Sequence, residues 1–217
     1  MHRYTLVVFD WDGTLVDSAA HIVDSIQAAA RDVGLPVPSE QDARHIIGLG
    51  LIDAMEYLFP GVPADWYPRV ADRYRHHYVA GEGVVKLFEG VEEGLARLET
   101  KGHLLAVATG KSRRGLDRAL SDTGLARYFH ATRCGDEGFP KPNPDMLEFL
   151  FDELAVERSA AVMVGDTTHD LEMARAARID SIAVSYGAHD PGVLRAARPT
   201  AFVDTPTELW QWLDRNA

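Results

Sequence analysis

The chain has 217 residues, 46% of them hydrophobic, which suits one folded domain carrying a modest insertion and excludes a disordered chain. Its 33 Asp and Glu against 22 Lys and Arg give a formal charge of −11 with His neutral, so nucleic acid and anionic membrane would be repelled over most of the surface. An anionic small substrate would need locally placed cations or a metal, and the single cysteine, Cys134, has no partner for an internal disulfide.

The first apolar run, Tyr4 to Phe9, has no polar alternation and predicts a strand buried on both faces. It is too short for a signal-peptide core, and no apolar stretch approaches the roughly 20 residues of a membrane span, so a soluble, cytoplasmic protein is expected. Roughly ninety residues separate this run from the next, far more than one crossover helix requires. Their pattern is helical. Ile22, Ile26, Ala29, Ala30 and Val33 share a face before Gly34 and Pro36, Ser39 with Asp42 can cap a second helix, and Val70, Tyr74 and Tyr78 repeat the spacing. Residues 17–85 are therefore expected to form a small all-helical insertion, with residues 1–16 and 86–217 forming an α/β core of Rossmann-like, parallel-sheet type.

Further strands are predicted at His103 to Ala108, Ala160 to Val164 and Ser181 to Val184. Between them, Ser112 can cap a helix that buries Leu116 and Leu120 and stops at Gly124. Asn143-Pro144 opens another, with Leu147, Leu150, Phe151 and Leu154 as its apolar stripe. Thr205-Pro206-Thr207-Glu208 is a capping-box start for a last helix with Leu209, Trp210 and Leu213 inside.

Four segments carry candidate chemistry. Asp10 and Asp12 follow the first strand, Thr109-Gly110-Lys111 ends the second, Lys141 lies between prolines ahead of a helix, and Asp166 and Asp170 stand where the third strand gives way to a helix. Each alone has a plain structural explanation, such as an Asp-Gly turn or aspartates favoured at a helix N-terminus. Parallel topology, however, brings every strand's carboxyl end to one edge, which is where open α/β sheets bind ligands.

In this order the four segments resemble the motifs of the haloacid dehalogenase superfamily, and the resemblance extends over essentially the whole chain. It implies that Asp10 is a nucleophile that accepts a phosphoryl group and that Asp12 is the general acid and base. Thr109, Gly110 and Lys141 would hold the phosphoryl oxygens. Mg²⁺ would be held by Asp10, Asp166 and the backbone carbonyl of Asp12, with Asp170 acting directly or through water, and backbone N–H groups of residues 11–14 are further candidates for the phosphoryl cradle. The chemistry is coherent without the family: a carboxylate and a phosphate dianion repel each other, and a hard divalent cation with oxygen ligands removes that obstacle.

An aspartate two positions after the nucleophile distinguishes ester-cleaving members from those that break carbon–halogen or carbon–phosphorus bonds. The helical insertion corresponds to the family's cap, which implies a small-molecule phosphate ester as partner. Leu15-Val16-Asp17-Ser18, Gly48-Leu49-Gly50 and the run Asp166 to Ala174 are similar to those of phosphoglycolate phosphatases. Arg44 and His45 could meet a substrate carboxylate or be solvated helix residues. His169 reads as a supporting or surface residue, Tyr186-Gly187-Ala188-His189 as part of the rim, and His76-His77 as an exposed helix face. A sugar-phosphate mutase like β-phosphoglucomutase and a non-catalytic binding protein remain as alternatives, and a monomer and a homodimer are both compatible with the sequence.

Overall fold

A computed structural model, which describes residues 3–81 and 86–217, places the apolar runs in a six-stranded, all-parallel sheet of order β5-β4-β1-β6-β7-β8. The strands are β1 Leu6–Phe9, β4 Leu104–Thr109, β5 Ala131–Cys134, β6 Ala161–Gly165, β7 Asp180–Val184 and β8 Ala201–Val203. Every residue of β1 is buried because alternate side chains enter two different cores. Val7 and Phe9 join α5 (Val91–Thr100), α6 (Arg113–Thr123) and α10 (Pro206–Asn216) on one face. Leu6 and Val8 join α7 (Asp145–Leu154) and α8 (Thr168–Ala177) on the other. That double burial is the physical cause of the unbroken apolar runs.

Two strands of this sheet have no counterpart in the sequence reading. The edge strands β5 and β8 are only partly buried, and the Thr132-Arg133 pair in β5 gives it no apolar run to recognise. The other strands begin or end within two residues of the expected positions, and Ser112 and Thr205 cap their helices by accepting N–H bonds from Gly115 and Glu208. Asn143 lies two residues ahead of α7 and its side chain accepts from Asp145 N–H, so Pro144 rather than Asn143 occupies the capping position.

The long stretch after β1 folds as α1 (Ala19–Val33), α2 (Glu40–His45), α3 (Leu51–Leu58) and α4 (Tyr67–Ala80). Val23, Ile26, Ala30, Met55, Phe59 and Val70 give these helices a core of their own. The chain enters and leaves through a short antiparallel pair, β2 (Val16–Asp17) with β3 (Lys86–Leu87). We take residues 17–85 as the inserted unit; position 85 itself lies outside the described residues.

Register sets the level of the strand ends. Phe9 pairs with both Val107 and Val164, so the residues that follow β1, β4 and β6 emerge at one edge: Asp10, Thr109 to Lys111, and Asp166. On the face away from α7 and α8, α10 lays Trp210 across Gly94 of α5, where a Cβ would collide with the indole ring. Gly94→Ala should therefore lose about 1–2 kcal/mol, because overpacking against a rigid ring outweighs the roughly 1 kcal/mol gained in helix propensity. Urea denaturation checks this, and Trp210→Leu in the Gly94→Ala background should return part of the loss.

Candidate active site

Asp10 is the first residue beyond β1, its N–H donating to the Val164 carbonyl at 2.9 Å. A tight turn follows, in which Gly13 N–H donates to the Val16 carbonyl and is therefore not available to a ligand. Gly13 has φ +78°, and any Cβ there would strike the Asp166 carboxylate. The glycine of Asp12-Gly13 thus lets the turn close onto the third strand's aspartate. Thr14 Oγ1 donates to Asp166 Oδ1 at 2.8 Å, and Ala188 N–H donates to Asp166 Oδ2 at 2.7 Å.

Lys141 reaches in from the loop before α7. Its ammonium has no exposed surface and sits 2.7 Å from Asp10 Oδ1 and 2.7 Å from Asp170 Oδ1. Burial alone would drive Lys141 toward the neutral amine, but the two carboxylates outweigh it and raise its pKa. The second oxygen of Asp170 accepts from Thr167 N–H and Oγ1, which closes a capping box at the start of α8. The dipole role weighed for Asp170 is therefore real, and the same residue also holds Lys141.

Oxygens of Asp10, Asp166 and Asp170 lie within 4.8 Å of one another, all three residues buried. Burial pushes Asp10 up to about 7, with Asp170 and Asp12 adding to the rise and Lys141 opposing it. Asp166 is raised for the same reasons, burial first and then Asp10 and Asp170. Asp10 Oδ2 is buried and makes no hydrogen bond. Three buried carboxylates crowded together fit a hard, oxygen-seeking divalent cation, which would relieve their mutual repulsion.

Asp12 stands apart from that trio. Its Oδ1 accepts from Ser18 Oγ at 2.7 Å and its Oδ2 lies 3.1 Å from Lys111 Nζ, so its carboxylate is not part of the cluster that could hold a metal. Thr109 is buried at the end of β4, with its Oγ1 accepting from Lys111 N–H at 3.2 Å. Gly110 is where the helical insertion touches down: a Cβ there would stand 2.6 Å from the Gly48 carbonyl. Arg44, in contrast, spends its guanidinium on Glu40 one turn earlier, at 3.0 Å.

Two readings are sharpened by the structure: the rim segment, and His169, where burial selects the supporting alternative over the surface one. Tyr186 to His189 is less a rim than a buttress: Ala188 holds Asp166, Tyr186 Oη donates to the Thr14 carbonyl, and His189 is buried. His169 is also buried, and with His45 of α2 and His189 it forms a contact between insertion and core. The Nε2–H groups of His169 and His189 both donate to the His45 carbonyl, at 2.7 and 3.1 Å, and His189 Nδ1 accepts from Thr168 N–H. Those Nε2 lone pairs are occupied by protons, and the cluster serves as a latch. His77, by comparison, is partly exposed and pairs with Asp32.

Burial holds His169 near pH 4 against an ordinary 6.5, and His189 is lowered for the same reason. Between pH 6.5 and about 4 the unfolded chain binds the proton that folded His169 refuses, so stability present above pH 6.5 is lost on acidification. The loss attributable to this residue is on the order of 3 kcal/mol. Denaturant unfolding at stepped pH should show a shallower decline for His169→Gln over that window; equal slopes would contradict the buried neutral assignment.

Comparison with known proteins agrees with this geometry. Residues 7–184 match the model of the haloacid dehalogenase-like hydrolase family. The probable phosphatase IndB of Dickeya dadantii (strain 3937) is 37% identical over 210 residues, covering 94% of this chain and 91% of that protein. The tyrosine-protein kinase PtkA of Mycobacterium tuberculosis (strain ATCC 25618 / H37Rv) is 35% identical over 184 residues, covering 84% of this chain but only 62% of that longer protein. A crystal structure from Haemophilus somnus 129pt, described as a predicted phosphoglycolate phosphatase, superposes with a TM-score of 0.82 at 25% identity, covering 97% of this chain and 98% of that one. A family match across most of the sheet, together with a relative of this identity along nearly the full length, establishes that the chain belongs to the haloacid dehalogenase-like hydrolases.

Proposed function

We propose that the chain is a Mg²⁺-dependent phosphatase that hydrolyses a small phosphate monoester, of the phosphoglycolate kind, through an aspartyl-phosphate at Asp10. The observation that carries this reading is Asp10 Oδ2: a buried carboxylate oxygen without a partner, on a side chain whose other oxygen is fixed by Lys141. A nucleophile needs one oxygen free and the other held. The phosphatase and phosphoglycolate phosphatase descriptions of relatives point the same way.

In the first half-reaction Asp10 Oδ2 forms a bond to phosphorus as the ester P–O bond breaks, and Asp12 supplies the proton that the leaving oxygen requires. In the second, Asp12 takes a proton from water, whose oxygen displaces Asp10 and releases inorganic phosphate. Ser18, donating to Asp12 Oδ1, fixes the carboxyl group for both steps. Lys141 remains charged throughout and meets the phosphoryl oxygens, with Thr109 beside it at the end of β4. Asp10, Asp166 and, directly or through water, Asp170 would hold Mg²⁺, with the Asp12 carbonyl as a further ligand. When bound, the ion supplies the positive charge that lets a carboxylate approach a phosphate dianion. The inserted helices cover this edge and limit the substrate to a small molecule, from which water is excluded before attack.

A screen of small phosphate esters with Mg²⁺, followed by phosphate release, tests the reading. Turnover should disappear in Asp10→Asn with the melting temperature retained, and should stop in EDTA and return with added Mg²⁺. Asp12→Asn should bind substrate with little change while kcat falls about 10²- to 10⁴-fold. Normal turnover by Asp10→Asn, or full activity in EDTA, contradicts the mechanism.

A further inference from the structure

Besides Ser18, which donates to Asp12 directly, the insertion reaches the neighbourhood of Asp12 through a second, largely enclosed lysine. Lys111 follows Thr109-Gly110 at the end of β4. Its side chain is 11% exposed, its Nζ is 3.1 Å from Asp12 Oδ2, and it donates to Tyr78 Oη of α4 at 2.9 Å while lying 4.5 Å from the centre of the Tyr78 ring. Lys141 and Lys111 therefore serve different regions: Lys141 touches Asp10 and Asp170, whereas Lys111 touches the residue that meets the leaving oxygen.

We infer that Lys111, held by Tyr78 of the insertion, reads the alcohol half of the substrate and selects esters whose leaving group carries a second anionic group close to the ester oxygen. This rests on the phosphatase reading and deepens it by naming the substrate class. Three features carry the inference. An ammonium has three N–H donors, and Asp12 and Tyr78 use two, leaving one for a ligand. The position is fixed by proton transfer, since a group in contact with Asp12 is within reach of whatever adjoins the leaving oxygen. The cation is enclosed between core and insertion, where a charge–charge contact is screened far less than at the surface. Arg44, the sequence candidate for this role, makes an exposed contact with Glu40 and none that is shown with Asp12. A lysine acts as a point charge and does not demand a planar partner, so a carboxylate and a second phosphoryl group both satisfy it.

The test compares affinities in the intact chain carrying Asp10→Asn, which prevents turnover, with Mg²⁺ present. Calorimetric titrations use 2-phosphoglycolate, ethylene glycol bisphosphate and 2-hydroxyethyl phosphate, whose alcohol half carries no charge. Both esters with a second anion should bind more tightly than the one without it, and Lys111→Met should reduce that preference about ten- to hundredfold, with Lys111→Arg restoring part of it. Tyr78→Phe, which removes only the hydroxyl, should reduce the preference less. A preference confined to one of the two anionic esters identifies which anion Lys111 serves. A ratio unchanged within about twofold in Lys111→Met, or weakening of all three esters alike, overturns the inference and leaves Lys111 as a support for Asp12 alone. Phosphate release by the unmodified chain is measured in parallel: its absence on every ester defeats the phosphatase reading, while the binding ratio judges Lys111 independently.

Discussion

A lysine ammonium with no contact to solvent, clamped between two carboxylates, is the constraint on which the rest of this structure depends. Desolvating Lys141, Asp10 and Asp170 together is unfavourable by several kcal/mol per ion, and hydrophobic residues of similar volume would pack at lower cost. Removing Lys141, on the other hand, would strand two uncompensated carboxylates. The cluster is therefore poor evidence for stability and good evidence for function. It also dictates its surroundings: Asp170 must cap α8 with its second oxygen, Thr167 must supply the hydroxyl, and the Asp10–Thr14 turn must carry a glycine to close on Asp166.

The sheet makes this clamp possible by bringing residues far apart in sequence to one edge. Asp10 and Asp166 follow β1 and β6 and Thr109 ends β4, three adjacent strands whose register is fixed by double-sided burial, so packing sets their backbone positions. Lys141 then comes from a loop between prolines that limits its approach. Above the edge, the insertion is joined to the core at a few close contacts: the Gly48 carbonyl on Gly110, the His45 carbonyl under two imidazole donors, and Tyr78 on Lys111. An apolar patch of Ala19, Ile22 and Ile47 against Ala188, and Gly50 against Pro140, add to these polar contacts.

How much was legible in the sequence follows from where the information lies. Central strands and amphipathic helices announce themselves by local pattern, and the aspartates at strand ends stand out because a charge follows a fully apolar run. The edge strands β5 and β8 do not, since half-exposed strands carry Thr and Arg where a buried one carries Val. Lys111 was visible in its motif, but its partner Tyr78 belongs to the insertion, and no local periodicity says how a helical unit docks on a sheet. For the same reason His45, His169 and His189 read as residues with separate roles, although the imidazoles of His169 and His189 meet at the His45 carbonyl. Arg44 reads either as a substrate cation or as a solvated helix residue, and its i,i+4 spacing to Glu40 gives it the exposed partner it has here.

The central claim is that the phosphoryl group is transferred to the oxygen of Asp10 that the fold leaves without a hydrogen bond. A single turnover in water enriched in heavy oxygen, with enzyme in excess over a phosphate ester, addresses it directly. If water attacks the phosphorus of an aspartyl-phosphate, as proposed, the label enters the released phosphate, and acid quenching before completion yields a peptide containing Asp10 heavier by one phosphoryl group. Labelled phosphate formed with no phosphorylated Asp10 peptide at any quench time would mean direct attack by water on the substrate, and would contradict the account.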